Sequence, residues 1–162
     1  MQIQDYLVDQ TGLNWESLLD EWGWLLPSSF RVWLLTRAGD LFIVVPDGQV
    51  QMLDVGAGTL QQVAPTFEQF CDQLEKPTMA DKYLMIPIVD ALLKAGVVLG
   101  PEQCYSYREL PAFGGTYGAE NRMPFPIREH FGGWGAVHRQ IADASDGSAV
   151  QLEIARSATQ GG

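Results

Sequence analysis

Two histidines and two cysteines are the residues of this 162-residue chain best suited to chemistry: His130, His138, Cys71 and Cys104. The imidazoles stand eight residues apart, so on a continuous helix they lie roughly 12 Å apart along the axis and cannot share one metal ion. Either thiol could meet an imidazole in space and form a nucleophile-base pair, but no spacing in the sequence predicts it. Cys71 falls on an apolar helical stripe, where a free thiol behaves as a small hydrophobe. A hydrolase reading therefore needs Cys104, His138 and Glu120 or Glu129 to converge on the glycine-rich stretch around Phe113-Gly114-Gly115. A small-molecule sensor would use Tyr105, Tyr107, Trp134 and Asn121 to line a pocket.

The motifs that usually announce catalysis are missing. No HExxH, GxxxxGK[ST], GxSxG, strand-linked GxGxxG or EF-hand loop occurs in the sequence. Gly114-Gly115 has no following lysine and no clear helix behind it, so it reads as left-handed backbone or close packing rather than a phosphate cradle. The expectation is a binding protein without cofactor or metal.

Local signals give the elements that would position these residues. A short helix is expected over Ile3 to Val8. A second, amphipathic helix is capped by Asn14 and carries Leu18, Leu19, Trp22, Leu25 and Leu26 at helical spacing up to Pro27. Phe30-Val32-Leu34, Leu41 to Val45 and Val50-Met52 read as three strands of an antiparallel meander, with turns at Arg37 to Asp40 and at Asp47-Gly48. Gly56-Ala57-Gly58 loosens the chain before Thr66, which with Gln69 makes a capping-box pattern ahead of Phe67, Phe70, Cys71 and Leu74. That helix ends before Pro77. Another is expected from about Tyr83 to Ala95, with Pro87 at its start or at a kink and Gly96 at its C′ position.

Gln103 to Tyr107 suits a short strand, and a glycine-rich loop follows. Tyr105, Tyr107 and Tyr117 are expected to clamp that loop and Asn121 to satisfy its backbone, with positive φ at Gly114 or Gly115. A last helix covers Ile127 to Ile141, and Asp146-Gly147 precedes an expected strand over Ala149 to Ile154. The whole predicts a single α+β domain over 1–162: an antiparallel sheet with helices packed on one face and at one end. Residues 1–26 form its helical start, 27–156 its body and 157–162 its tail.

Composition narrows the class of partner. With 46% hydrophobic and 19% charged residues the chain is globular, and at this length about 68–70% of its surface can be buried without staples. Two unclustered cysteines fit a reducing, cytoplasmic compartment. No leader pattern and no apolar run of membrane-spanning length occurs. A formal charge of −10 opposes direct nucleic-acid or anionic-lipid binding and favours a basic partner. Asp5, Asp9, Glu16, Asp20 and Glu21 fall within the first thirty residues, which hold no Lys or Arg, and Trp15, Trp22, Trp24 and Trp33 crowd the first third of the chain. Trp15, Glu16, Asp20, Glu21 and Trp24 are therefore the candidate partner-binding residues, rings supplying anchors and carboxylates supplying steering. The sequence leaves the oligomeric state open.

One resemblance gives this reading a family. Gly100 to Tyr107, Phe113-Gly114-Gly115-Thr116-Tyr117, Asn121 and His138-Arg139-Gln140-Ile141 resemble Tdi-type immunity proteins of bacterial type VI secretion. Upstream, Gly39-Asp40-Leu41-Phe42, Val50 to Gly58 and Phe67 to Phe70 are similar to the same family's strand, turn and helix pattern. The resemblance implies a cytosolic, non-catalytic protein that neutralises a cognate secreted toxin, a DNase in the best-known case. It carries over no catalytic residues.

Overall fold

The computed structural model describes residues 2–144; the expected strand at 149–154 and the tail lie outside the described residues. Four antiparallel strands follow one another as a meander: β1 (Arg31–Leu35), β2 (Leu41–Val44), β3 (Val50–Asp54) and β4 (Thr59–Ala64). The turn between β2 and β3 closes at Gly48, whose φ of 93° is one that asparagine-glycine and aspartate-glycine turns exist to provide. β4 corrects the expectation of a loose connection after Gly58. Its alternation is hidden because the two central residues, Gln61 and Gln62, are both exposed and a register shift lies between Val50 and Gln51 of β3.

Alternation along the strands sends side chains to two separate cores. Phe42, Val44 and Val50 pack on one face with Phe70, Leu74, Leu84, Val89 and Leu92, which belong to α2 (Phe67–Leu74), α3 (Pro77–Leu84) and α4 (Ile86–Lys94). Leu41, Ile43, Leu53 and Val55 face the other way, onto Leu18, Trp22, Ile127 and Phe131 of α1 (Trp15–Leu18), the 3-10 turn Asp20–Trp22 and α5 (Ile127–Asp143), and onto Leu19 between the first two. Helices thus cover one face, as expected of the α+β class, and the second face is covered as well. β2 is buried along its whole length.

Caps explain several helix limits. Asn14 Oδ1 accepts the Ser17 N–H at 3.2 Å, and Thr66 Oγ1 accepts that of Gln69 at 3.1 Å. Two helix expectations change in length. The amphipathic segment after Asn14 leaves α geometry at Leu18 and continues only as a 3-10 turn to Trp22. The segment expected from Tyr83 is two helices, because Pro77 starts α3 rather than merely ending α2, and Met85 at φ 52° separates α3 from α4. At the amino end, Ile3–Tyr6 is a 3-10 turn, after which Leu7 bridges Thr36 at the sheet edge.

A second, two-stranded sheet pairs β5 (Gln103–Tyr107) with β6 (Arg122–Pro126). β6 was not foreseen, since Pro124 and Pro126 argue against a strand; a hairpin partnered on one side tolerates them. The Tyr105 N–H donates to Arg37 O at 2.7 Å, tying this hairpin to the turn between β1 and β2.

Candidate functional site

Where the two sheets meet, the protein buries an arginine. Arg122, only 2% exposed, donates from Nη1 to Ala38 O at 2.7 Å and to Tyr105 O at 3.3 Å, from Nε to Tyr117 O at 3.1 Å, and from Nη2 to Met85 Sδ at 3.0 Å. Its guanidinium lies 4.1 Å from the centre of the Tyr107 ring. Carbonyls and a ring face thus replace water around a charge that would otherwise be costly to bury. One side chain joins the β1–β2 turn, β5, the glycine-rich loop and the α3–α4 junction.

Asp40 sits nearby and is as deeply buried, yet its Oδ1 has no hydrogen-bond partner. Burial pushes its carboxyl up to about 7, the charge of Asp54 adds to this, and Arg122 opposes it. The Tyr107 hydroxyl is likewise buried without a partner. Behind them runs a directed chain of hydrogen bonds. Gly39 O can only accept, so His130 Nε2 carries the proton it donates at 2.9 Å. In the neutral ring Nδ1 then accepts from the Ser106 hydroxyl at 2.8 Å, and Ser106 Oγ accepts from Trp134 Nε1 at 3.0 Å. Burial lowers the His130 pKa to about 4, which keeps the ring neutral.

The glycine-rich loop is held by its own side chains. Asn121 Oδ1 accepts the Glu109 N–H at 3.0 Å, while Nδ2 donates to Glu109 O and Thr116 O, each at 2.7 Å. Gly114 takes φ 101° at the end of the 3-10 turn Pro111–Phe113. A Cβ at Gly115 would stand 2.0 Å from Glu109 O, so the loop can fold back on itself only with glycine there. Tyr117 donates to Asp54 Oδ2 at 3.1 Å and presents its ring edge-on to Tyr107. Tyr105 acts elsewhere: its hydroxyl donates to Val97 O, after α4, rather than to the loop.

Four of the five candidate partner-binding residues fall into two pairs. Trp15 and Glu16 line an open groove of about 810 Å³ with Leu19, Leu26, Phe30 and Val32. Trp15 is half-buried, edge-on to Phe131 and donating to Gln10 Oε1. Glu21 and Trp24 lie together beside α5: Glu21 forms an ion pair with Arg139 at 3.0 Å, and the Trp24 indole donates to Glu21 O at 2.9 Å. Trp24 stacks on buried Trp22 and stays 37% exposed. Asp20 is exposed.

The residues of the two alternative readings have other engagements. Cys104 is fully buried and its thiol is pushed up by desolvation; His138 donates from Nε2 to Val55 O at 2.8 Å; Glu120 accepts from Thr116. No bond joins Cys104 to His138 or to Glu120, and Glu129 is exposed on α5. Of the sensor set, Asn121, Tyr105 and Trp134 make the internal hydrogen bonds already described, Tyr107 packs under Arg122, and none lines the groove. Among the described residues no group of three or more His, Cys, Asp and Glu is placed to hold a metal ion. None of the described helices is long and apolar enough to cross a membrane.

Sequence reasoning passed over Arg122 and over the burial of Asp40. The one available signal was Arg122 directly ahead of an apolar run, Met123-Pro124-Phe125-Pro126.

Residues 64–132 match the family model described as T6SS immunity protein Tdi1, C-terminal. The matched stretch runs from the end of β4 into α5 and includes the glycine-rich loop, Asn121, Arg122 and His130. No curated protein and no solved structure matches the chain.

Proposed function

We propose that this chain, whose residues 64–132 match the T6SS immunity protein Tdi1 C-terminal family, is a type VI secretion immunity protein that protects its cell by binding a cognate secreted toxin rather than by catalysis. The family match carries the reading. Charge supports it and suggests the partner's sign: at −10 the protein is built to be drawn to a basic surface. A nuclease is the toxin class that fits best, because its phosphate-binding channel is basic and an inhibitor gains by presenting carboxylates to it. The reading places the complex in the cytoplasm and involves neither membrane nor direct nucleic-acid contact.

The proposed contact surface is the amino-terminal segment of Trp15, Glu16, Asp20, Glu21 and Trp24, where Glu16 and Asp20 offer exposed carboxylates, Glu21 is half-buried and paired with Arg139, and the two rings are partly exposed. Rim carboxylates mainly set the on-rate and its salt dependence, whereas a ring that enters a partner's pocket costs about 2–4 kcal/mol when removed. Binding to the product of the adjacent gene, measured at low and high salt with wild type and with Asp20→Lys/Glu21→Lys, tests this. Association should slow in salt and in the variant. Binding indifferent to both would move the interface off this segment.

A further inference from the structure

The edge of the four-stranded sheet at β1 is covered over only half its length. Tyr6 to Gln10 serve its far end: Val8 N–H donates to Leu35 O at 2.8 Å, Arg37 N–H to Tyr6 O at 2.9 Å, and Gln10 Nε2 to Trp33 O at 2.8 Å. At the near end Arg31 faces Val44 of β2 while Val32, opposite Ile43 in the alternate position, turns its N–H and C=O to the outer edge, and among the described residues no hydrogen bond reaches them there. Arg31 is exposed and Val32 half-buried. An edge of this kind is a template for another strand.

A groove lies on each side of it. The groove of about 810 Å³ on the α1 side and a second of about 570 Å³ on the α2 side share Arg31 and Val32 as common walls. The first offers Trp15, Leu19 and Phe30; the second offers Trp33, Val44 and Phe67, with Phe67 still 37% exposed. Successive side chains of an extended strand point to opposite faces, so a chain laid along Arg31–Val32 would drop alternate residues into the two grooves.

Charge selects the occupant. Glu16 borders the first groove, Asp47 and Glu68 the second, against the single Arg31 they share. A second copy of this chain, itself at −10, would bring like charge to like charge and set one Arg31 near another. We propose that the open half of β1 is a strand-addition site for an extended segment of a protein partner that carries Lys or Arg among apolar residues. Main-chain hydrogen bonds to β1 supply affinity and the two grooves supply specificity. Taking that partner to be the toxin rests on the immunity reading above.

The test uses the purified product of the adjacent gene. Two double variants carry the same charge change: Glu16→Lys/Asp47→Lys alters one carboxylate in each groove, and Asp72→Lys/Glu75→Lys alters exposed acids on and after α2, outside both. The groove variant should bind about tenfold more weakly and the control variant within about threefold of wild type. Amide exchange at Val32 should slow by roughly tenfold or more in the wild-type complex. If wild type binds while the two variants match, or while exchange at Val32 is unchanged, strand addition is wrong and the immunity reading stands. If wild type does not bind, both fall.

Discussion

Replacing Asp40 with asparagine should make the protein more stable at neutral and alkaline pH. The carboxyl is buried, one of its oxygens is unpaired, and its pKa is about 7 against 3.8 for the free side chain. A raised folded-state pKa means that the native state holds the proton more tightly than the unfolded chain. Stability from this group is therefore full below about pH 4, declines as pH rises, and levels off above about pH 7. Three pH units at about 1.4 kcal/mol each put the cost of ionised Asp40 at roughly 4 kcal/mol. His130 works in the opposite sense, because its pKa falls from 6.5 to about 4 and its contribution is lost as pH drops through that window. The two slopes oppose each other between about pH 4 and 6.5. Urea unfolding followed by tryptophan fluorescence at pH 8, 6 and 4.5 separates them. Asp40→Asn should exceed wild type by about 2–4 kcal/mol at pH 8, with the gap closing toward pH 4, where the variant keeps only the histidine loss. A variant equal to or weaker than wild type at pH 8, or a gap that does not depend on pH, would mean that the carboxylate is stabilised in a way this reasoning omits.

Other perturbations follow from the same contacts. Asn121→Ala strands the N–H and C=O of Glu109 and the carbonyl of Thr116, and should cost about 2–4 kcal/mol in chemical denaturation. Gly115→Ala forces a Cβ to within 2.0 Å of Glu109 O and should lower the melting temperature measurably, in keeping with the roughly 1–3 kcal/mol typical of overpacking. Cys71, partly exposed, should react with a thiol reagent in the native protein, while buried Cys104 should react only in denaturant; equal rates would contradict the placement of Cys104.

Much of the local structure was legible because it has local causes. The caps at Asn14 and Thr66, the turn at Asp47-Gly48 and Gly96 with φ 81° just past α4 are each set by residues within four positions of one another. The losses have longer-range causes. β4 carries adjacent polar residues that only its register with β3 explains, and β6 contains two prolines that only its pairing with β5 accommodates. Lys76-Pro77 reads equally as the end of one helix or the start of the next, and the left-handed residue that splits α3 from α4 is a methionine, which no propensity assigns there. The buried centre was illegible for the same reason. Arg122 meets Ala38 across 84 positions and His130 meets Gly39 across 91, so their types suggest surface charge and catalysis until the fold brings carbonyls to them.

The central claim is that this protein neutralises a toxin by binding it. Growth of a bacterial strain expressing the product of the adjacent gene, with and without this chain, tests that most directly. Wild type should restore growth, and the purified pair should form a complex whose association slows with salt. Continued killing in the presence of well-expressed, folded protein, with no complex at either salt concentration, would contradict it.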